Sequence, residues 1–161
     1  MNKTKRKIFE TSMKLFADKG YDATSIEEIT ATVGVAKGTL YYHFSSKEEI
    51  FEFLVEEGVK LLKNSISIKT DNLKNSIDKI RAIVLIQIKV LFKYESFMTI
   101  ILSQIWGNDE RSQLCKKHVF EYIQMIEEIV KEGQEKGEIV DADSNVLASG
   151  IFGFISSSFI Y

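Results

Sequence analysis

The chain has 161 residues, a length that allows one or two small domains with a sizeable core. Proline is absent, which favours an almost wholly helical chain. Cysteine occurs once, which excludes an internal disulfide and indicates a reducing cytoplasm. The formal charge of −2 conceals a basic head on an acidic body, because residues 1–47 hold eight Lys and Arg against five Asp and Glu. Such a head suits contact with a polyanion.

Apolar residues recur at helical spacing along the whole chain and predict an all-α fold. Capping residues and glycines set the expected helix ends. The predicted helices cover, in chain order, residues 3–19, 25–33, a short stretch from about 36, 46–67, 72–94, 96–106, 109–136 and 144–161. Asp71 or Asn72 is the expected cap of the fifth helix, whose stretch Ala82–Leu91 is apolar on nearly all sides and predicts a central buried helix.

A helix-turn-helix pattern follows the first helix. Ser25 and Glu28 form a capping box at the start of its first helix, and Thr24 with Glu27 offers the same box one residue earlier. Gly34 can take the positive φ that ends this helix before the next one begins. An ordinary helical hairpin inside a bundle would show the same spacing, so spacing alone does not decide between the two.

The exposed side of the short helix separates these interpretations. Leu40 and Phe44 are four residues apart and share one face, which can be buried. A solvated face would normally carry Glu, Lys and Gln, whereas this one has two tyrosines, a histidine and no acid. Such groups give hydrogen bonds and flat contacts to phosphates and base edges. The residues of this face are Lys37, Gly38, Thr39, Tyr41, Tyr42 and His43.

The same segment resembles the TetR family of transcriptional repressors. The resemblance covers roughly residues 3–55 and rests on Ile8, Leu15, Phe16, Gly20, Tyr21, Thr24, Ile29, Ala31, Gly34, Val35, 37–44 and 47–49. Ala36 departs from the family pattern, which often has Ser there, and an alanine cannot cap the helix that follows, a loss of about 1 kcal/mol. The resemblance implies a helix-turn-helix DNA-binding domain at 1–47, joined by the long fourth helix to a helical ligand-binding and dimerisation domain at 48–161.

For DNA binding, the resemblance implies a homodimer that places two recognition helices in successive major grooves of a roughly palindromic, double-stranded operator. A glycine on the recognition helix lets its backbone approach the duplex, and the neighbouring side chains reach base edges and phosphates. The residues expected to contact DNA are Thr24, Lys37, Gly38, Thr39, Tyr41, Tyr42, His43 and Lys47. The basic residues within 3–7 are either a solvated terminus or an arm near the phosphates.

The resemblance further implies a small-molecule cavity in the second domain, with the fourth helix as the lever that separates the two DNA-binding domains. Core packing explains most aromatic residues there, whereas the polar atoms of Trp106 and Tyr122 favour these two as pocket residues. The candidate pocket consists of Phe92, Phe97, Met98, Trp106, Tyr122 and Met125. The effector itself stays unknown.

The resemblance also implies that the last two long helices, through residues 120–129 and 146–161, pair with a second copy of the chain. Candidate interface residues are Phe120, Ile123, Val146, Gly150, Gly153 and Phe154. The final segment 146–161 is apolar apart from serines, but it falls short of the roughly 20 residues that a membrane span needs, so a membrane helix is disfavoured. Because the sequence stops inside an apolar helix, we expect it to be truncated.

Other classes of function remain as alternatives. An all-helical adaptor would bind a protein through the tandem aromatics and show no sequence preference on DNA. An enzyme lacks a candidate site, since no Gly-rich phosphate loop, nucleophile elbow or paired carboxylate stands out. Cys115 and His118 share one helix face, but two ligands do not make a metal site, so neither a metal nor a cofactor is expected.

Overall fold

The computed structural model describes residues 2–157 and places eight α-helices, with no strand, in that range. They are α1 (Lys3–Lys19), α2 (Ile26–Val33), α3 (Lys37–His43), α4 (Lys47–Thr70), α5 (Ser76–Lys93), α6 (Glu95–Gln104), α7 (Glu110–Glu135) and α8 (Ser144–Ser157). The all-α prediction is therefore confirmed. The end of the predicted last helix, residues 158–161, lies outside the described residues.

Helix starts follow local capping chemistry. The Ser25 side chain accepts a hydrogen bond from the backbone amide of Glu28 and so caps α2. The cap of α5 is Asn75, which accepts from the amide of Asp78 at 3.2 Å. The prediction of Asp71 or Asn72 was wrong because α4 runs on to Thr70 and a turn occupies the next residues.

The chain forms two compact units. The first unit comprises the chain up to Gly58 together with Glu95–Cys115, and the second comprises Val59–Tyr94 and the chain from Lys116 onward. Helices α4 and α7 each contribute residues to both units. A boundary drawn between residues 47 and 48 would separate α4 from the first unit, whereas its first turns belong to that unit's core.

The first unit packs α2 against α1 and α3, and α6 against α1. Aromatic rings link its elements, with Tyr21 and Phe51 meeting edge to face at a centroid distance of 5.3 Å and Phe44 and Phe53 meeting at 5.3 Å. Its fully buried side chains include Ile8, Ile29, Leu40, Phe44, Ile50, Phe51, Leu54 and Val55. These residues lie at helical spacing, so each short helix gains its stability from burial of one face.

The second unit has a core of branched side chains with a polar inclusion. The core consists of Ile66, Ile83, Tyr122, Ile126, Val130 and Ala148. Within it, the Tyr122 hydroxyl donates to Gln87 Oε1 at 3.1 Å, and Gln87 Nε2 donates to Ser156 Oγ at 3.4 Å. Each of these buried polar groups thus has a partner, which removes most of the cost of burying it.

Helix α5 is open to solvent along one side of the second unit. Leu85 is 59% exposed, and Ile88 is exposed as well. The predicted central buried helix is thus buried on one face only, through residues such as Ile83 and Leu91. An apolar sequence shows that a helix can be buried but not which neighbours cover it.

In the described range no helix is both long and apolar enough to cross a bilayer.

Candidate nucleic-acid interface

The turn between α2 and α3 depends on a glycine. Gly34 has φ 76° and ψ 41°, a left-handed backbone conformation that residues other than glycine rarely adopt. Its amide and that of Val35 both donate to the carbonyl oxygen of Thr30, so the carbonyl at the end of α2 is satisfied twice. The turn lets α3 begin at Lys37 with a new direction.

Helix α3 presents the predicted surface to solvent, and we call it the reading face. Tyr42 is 85% exposed and Tyr41 is 45% exposed, whereas Leu40 on the opposite side is fully buried. The Tyr42 ring meets the His43 ring at a centroid distance of 5.1 Å. The reading face comprises Lys37, Gly38, Thr39, Tyr41, Tyr42 and His43, with Thr39 and His43 half-buried.

Gly38 lies in open space on this face, in the first turn of α3. A Cβ atom built at this position meets no atom of the protein within 4 Å. The fold would therefore have room for a side chain at this position. The absence of one leaves the helix backbone free to approach another molecule.

Lys37 is held by an acid from the preceding helix. Its ammonium group lies 2.5 Å from Glu27 Oε1, and 5.8 Å from the centre of the Tyr41 ring. The hydrogen bond from Lys37 lowers the pKa of the Glu27 carboxyl and raises the pKa of Lys37 itself. Both side chains are well exposed, so the pair is weak and a phosphate can displace the carboxylate.

Two residues expected at the DNA surface have internal partners instead. Thr24 is 1% exposed, and its hydroxyl donates to the carbonyl oxygen of Gly20 at 2.8 Å. The ammonium group of Lys47 donates to the carbonyl oxygens of Tyr21 and Thr24, both at 2.9 Å. The expectation that the Thr24 hydroxyl reaches a phosphate is corrected here, because this buried hydroxyl would lose its acceptor. Lys47 uses two of its three N–H donors inside the protein, so its contact with DNA stays a prediction.

The basic residues at the start of α1 have separate environments. The Lys5 ammonium lies 4.2 Å from the centre of the Phe53 ring and 4.8 Å from that of Phe44, the residue that ends α3. Arg6 pairs with Glu10 on the surface. Sequence reasoning noted the positive charge here but missed the cation–π contacts of Lys5, since those depend on packing between distant helices.

Two family models match this chain. Residues 8–54 match the model described as bacterial regulatory proteins, tetR family, and residues 73–159 match the tetracyclin repressor-like C-terminal domain. The chain belongs to the TetR family. TetR-family regulators are DNA-binding transcriptional repressors, often responsive to ligands, and they are not enzymes.

Individual relatives agree with this placement. The negative regulator IcaR of the Staphylococcus aureus biofilm operon icaADBC is 39% identical over 74 residues, which are 46% of this chain and 40% of IcaR. The chain thus matches less than half the length of this curated relative. A solved structure of a candidate fatty acid metabolism regulator from Clostridium perfringens has 35% identity and a TM-score of 0.90, covering 96% of this chain and 84% of that one.

A more distant TetR-like structure shows the shared fold. AibR, solved in complex with isovaleryl coenzyme A and operator DNA, superimposes with a TM-score of 0.85 at 24% identity. The alignment covers 99% of this chain and 87% of AibR.

The structure of this TetR-family chain divides the predicted pocket residues between its two units. Phe97 and Met98 are buried in the first unit, whereas Tyr122 and Met125 belong to the core of the second. Phe92 and Trp106, unlike these four residues, are not buried: 85% and 86% of their surfaces are exposed. The prediction that these two line a pocket is thus corrected: neither the aromatic ring of Phe92 nor the polar atom of Trp106 indicates that the residue is buried.

The predicted interface residues of α8 flank an apolar groove in the second unit. The groove has a volume of about 460 Å³ and lies between α5 and α8. Its lining comprises Val84, Ile88, Val146, Leu147, Gly150, Ile151, Phe154 and Ile155. Gly153 and Phe120 are also exposed, but Ile123 packs against the core of this unit and is a structural residue there.

Cys115 has the environment of a structural thiol. It is fully buried, and burial raises its pKa to about 12, so it is protonated and unreactive at neutral pH. His118 faces Glu121 at 3.3 Å. In the part of the chain that the structure describes, no group of three potential ligands could hold a metal ion.

Proposed function

We propose that this chain is a transcriptional repressor that reads a roughly palindromic DNA operator as a homodimer, in the cytoplasm, and is released by a small molecule. The observation that carries the proposal is the reading face of α3. It is exposed, it contains no acid, and it is held in place by Leu40 and Phe44 in the core below. These are the properties of a recognition helix that enters a major groove.

The chemistry of the reading face supports direct contact with DNA. Tyr41 and Tyr42 offer hydroxyls to phosphates and flat rings to sugars or a thymine methyl. Lys37 contributes charge once Glu27 gives way to a phosphate, and open space at Gly38 lets the helix backbone come close.

An apolar face on the second unit supports the homodimer. Val146, Gly150 and Phe154 follow one another at intervals of four along α8, beside exposed residues of α5 such as Ile88. Burial of this face by a second copy would remove apolar surface from water and carry two reading faces on one particle. One recognition helix covers only a few base pairs, so pairing supplies most of the specificity.

Release by a small molecule rests on the core of the second unit. The polar inclusion of Gln87, Tyr122 and Ser156 is neutral and lies among branched apolar side chains. Because these polar groups are paired with one another, an effector that entered this core would have to replace one of their hydrogen bonds, which favours a largely apolar molecule with a neutral polar group. To empty a nearly full operator, the effector must favour the released form by about 5 kcal/mol. AibR, whose fold this chain shares, was solved with isovaleryl coenzyme A and operator DNA, and this supports the proposal of both kinds of partner.

Selection from a pool of random duplexes tests the DNA-binding part of the proposal. The chain is expected to enrich a sequence with two-fold symmetry, and fluorescence anisotropy should show affinity that falls steeply with salt. Enrichment of no sequence, with weak binding to all duplexes, would contradict the proposal and favour the adaptor alternative.

Light scattering tests the homodimer. Phe154→Glu places a charge on the apolar face and is expected to give a monomer with much weaker operator binding. Val140→Glu is the matched control, because Val140 is 70% exposed and lies in the loop before α8. A Phe154→Glu protein that stays dimeric would place the interface elsewhere.

A further inference from the structure

Arg111, in the first turn of α7, lies against the turn that connects α1 to α2. Its guanidinium carbon is 4.0 Å from the centre of the Tyr21 ring, and its Nη1 donates to Asp22 at 3.0 Å. The Arg111 side chain is only 23% exposed. All three residues belong to the first unit.

Asp109 fixes the place from which Arg111 reaches this turn. Its carboxylate caps α7 by accepting hydrogen bonds from the Ser112 amide at 2.8 Å and the Ser112 hydroxyl at 2.6 Å. The other carboxylate oxygen accepts from Arg111 Nη2 at 2.6 Å. One side chain thus holds both the helix start and the guanidinium.

Tyr21 gathers three parts of the first unit around one ring. The Lys47 ammonium lies 4.2 Å from its centre, and the Tyr21 hydroxyl donates to Glu48 Oε1 at 2.7 Å. Lys47 and Glu48 begin α4, Arg111 lies in the first turn of α7, and Tyr21 itself belongs to the turn that leads into α2. Through this ring, residues at the starts of α4 and α7 contact the turn that leads into the helix-turn-helix.

We propose that Arg111 is a positioning residue for operator recognition, fixing the orientation of the helix-turn-helix through Tyr21 without touching DNA. The inference rests on the proposed function, since it assigns a means of control to the same reading face. A helix-turn-helix that is free to tilt must be ordered when it meets a specific site, and this ordering costs affinity. A random duplex can be bound in many orientations of the helix-turn-helix, so affinity for it falls less than affinity for the operator.

Arg111→Met tests the inference, since methionine keeps an apolar stem but removes the guanidinium. Affinity for the selected operator is expected to fall about tenfold, with affinity for a random duplex nearly unchanged. Arg111→Lys keeps the charge and is not expected to rescue, because an ammonium cannot stack on Tyr21 while bonding both carboxylates. Arg81→Met is the matched control, as Arg81 forms an exposed pair with Asp78 in the second unit.

Three results would overturn the inference. Unchanged operator affinity in Arg111→Met excludes positioning. An equal loss on operator and random duplex indicates a partly unfolded protein rather than a misplaced reading face. Full rescue by Arg111→Lys shows that charge alone matters.

Hydrogen exchange separates this inference from the proposed function. Arg111→Met is expected to speed exchange of the amides in residues 21–24, with the second unit unchanged. If the parent chain selects no operator, the proposed function fails on that result alone. Unchanged exchange in residues 21–24 would instead overturn the link between Arg111 and the turn.

Discussion

The ammonium group of Lys47 donates a hydrogen bond to the carbonyl oxygen of Thr24 across 2.9 Å. The same group donates to the carbonyl oxygen of Tyr21 at 2.9 Å. The first residue of α4 thereby binds the segment just before α2, and the helix-turn-helix and the start of α4 are tied together. Since hydrogen bonds from a charged donor are stronger than neutral ones, this link stabilises the first unit.

Lys47 and Lys37 should therefore respond differently to substitution. Lys47→Met is expected to lower the free energy of unfolding by about 1–3 kcal/mol, because the carbonyl oxygen of Thr24 loses the Lys47 donor and that of Tyr21 keeps only the bond from the Thr24 amide. The slope of log affinity against log salt should stay as in the parent. Lys37→Met should leave stability nearly unchanged but reduce that slope by about 0.9, the value for one lost phosphate contact. Urea unfolding measures the stability of each variant, and anisotropy titrations at several salt concentrations measure the slope. A reduced slope in Lys47→Met would indicate that Lys47 contacts a phosphate after all.

Gly38→Ala should separate folding from DNA binding. Alanine favours a helix interior by about 1 kcal/mol over glycine, and no protein atom lies within 4 Å of the new methyl group. The variant is expected to be more stable in urea and to bind the operator more weakly, because the methyl group stands where the duplex approaches. Equal operator affinity would show that the helix backbone does not come close to DNA at this position.

Tyr42→Ala should impair operator binding without harming the fold. Tyr42 is 85% exposed, so stability should change by less than about 0.5 kcal/mol. Loss of its hydroxyl and ring should reduce operator affinity about tenfold or more. Trp106→Ala is the control, since this equally exposed aromatic residue lies outside the reading face. Similar losses in the two variants would argue against a specific part for Tyr42.

Capping of the two helices around the turn can be altered in opposite directions. Ala36→Ser supplies the acceptor that the start of α3 lacks and should raise stability by about 1 kcal/mol. Ser25→Ala removes the acceptor for the Glu28 amide at the start of α2 and should lower stability by a similar amount. Thermal unfolding of both variants checks the pair, and a destabilised Ala36→Ser would show that the serine side chain cannot take the capping rotamer.

Asp109 should make part of the stability depend on acid pH. Hydrogen bonds from Ser112, followed by those from Arg111, lower the pKa of Asp109 from 3.8 to about 2. A depressed pKa contributes stability that is present above the unfolded-state value and is lost as the pH falls toward the folded-state value. Asp109→Asn should thus lower the melting temperature at pH 7, and its difference from the parent should shrink from pH 4 downward. A difference that does not vary with pH would mean that the charge of Asp109 is unimportant.

Much of the reading face could be predicted from the sequence because its signals are local. Leu40 and Phe44 define the buried side of α3 by their spacing, and the side chains between them must point outward. The residues that end and begin helices, such as Gly34 and Ser25, act within one turn of the chain. Their placement therefore depends on neighbours that a linear pattern contains.

The errors concern residues whose partners lie far away along the chain. Nothing near Lys47 shows that its ammonium group binds the carbonyl oxygens of Tyr21 and Thr24, 26 and 23 positions earlier, and nothing near Arg111 shows that it meets Tyr21, 90 positions earlier. Trp106 was assigned to a pocket on its chemistry alone, and the fold leaves it exposed.

The sequence by itself determined the helical class, the helix-turn-helix and the chemical character of its surface, since these follow from periodicity, capping and residue type. Only the tertiary structure decided which partner each charged group has. Lys37 keeps an exposed partner that a phosphate can replace, whereas Lys47 is engaged with backbone carbonyls. The physical reason is that the partner of a lysine is set by packing between helices, and packing depends on the whole chain.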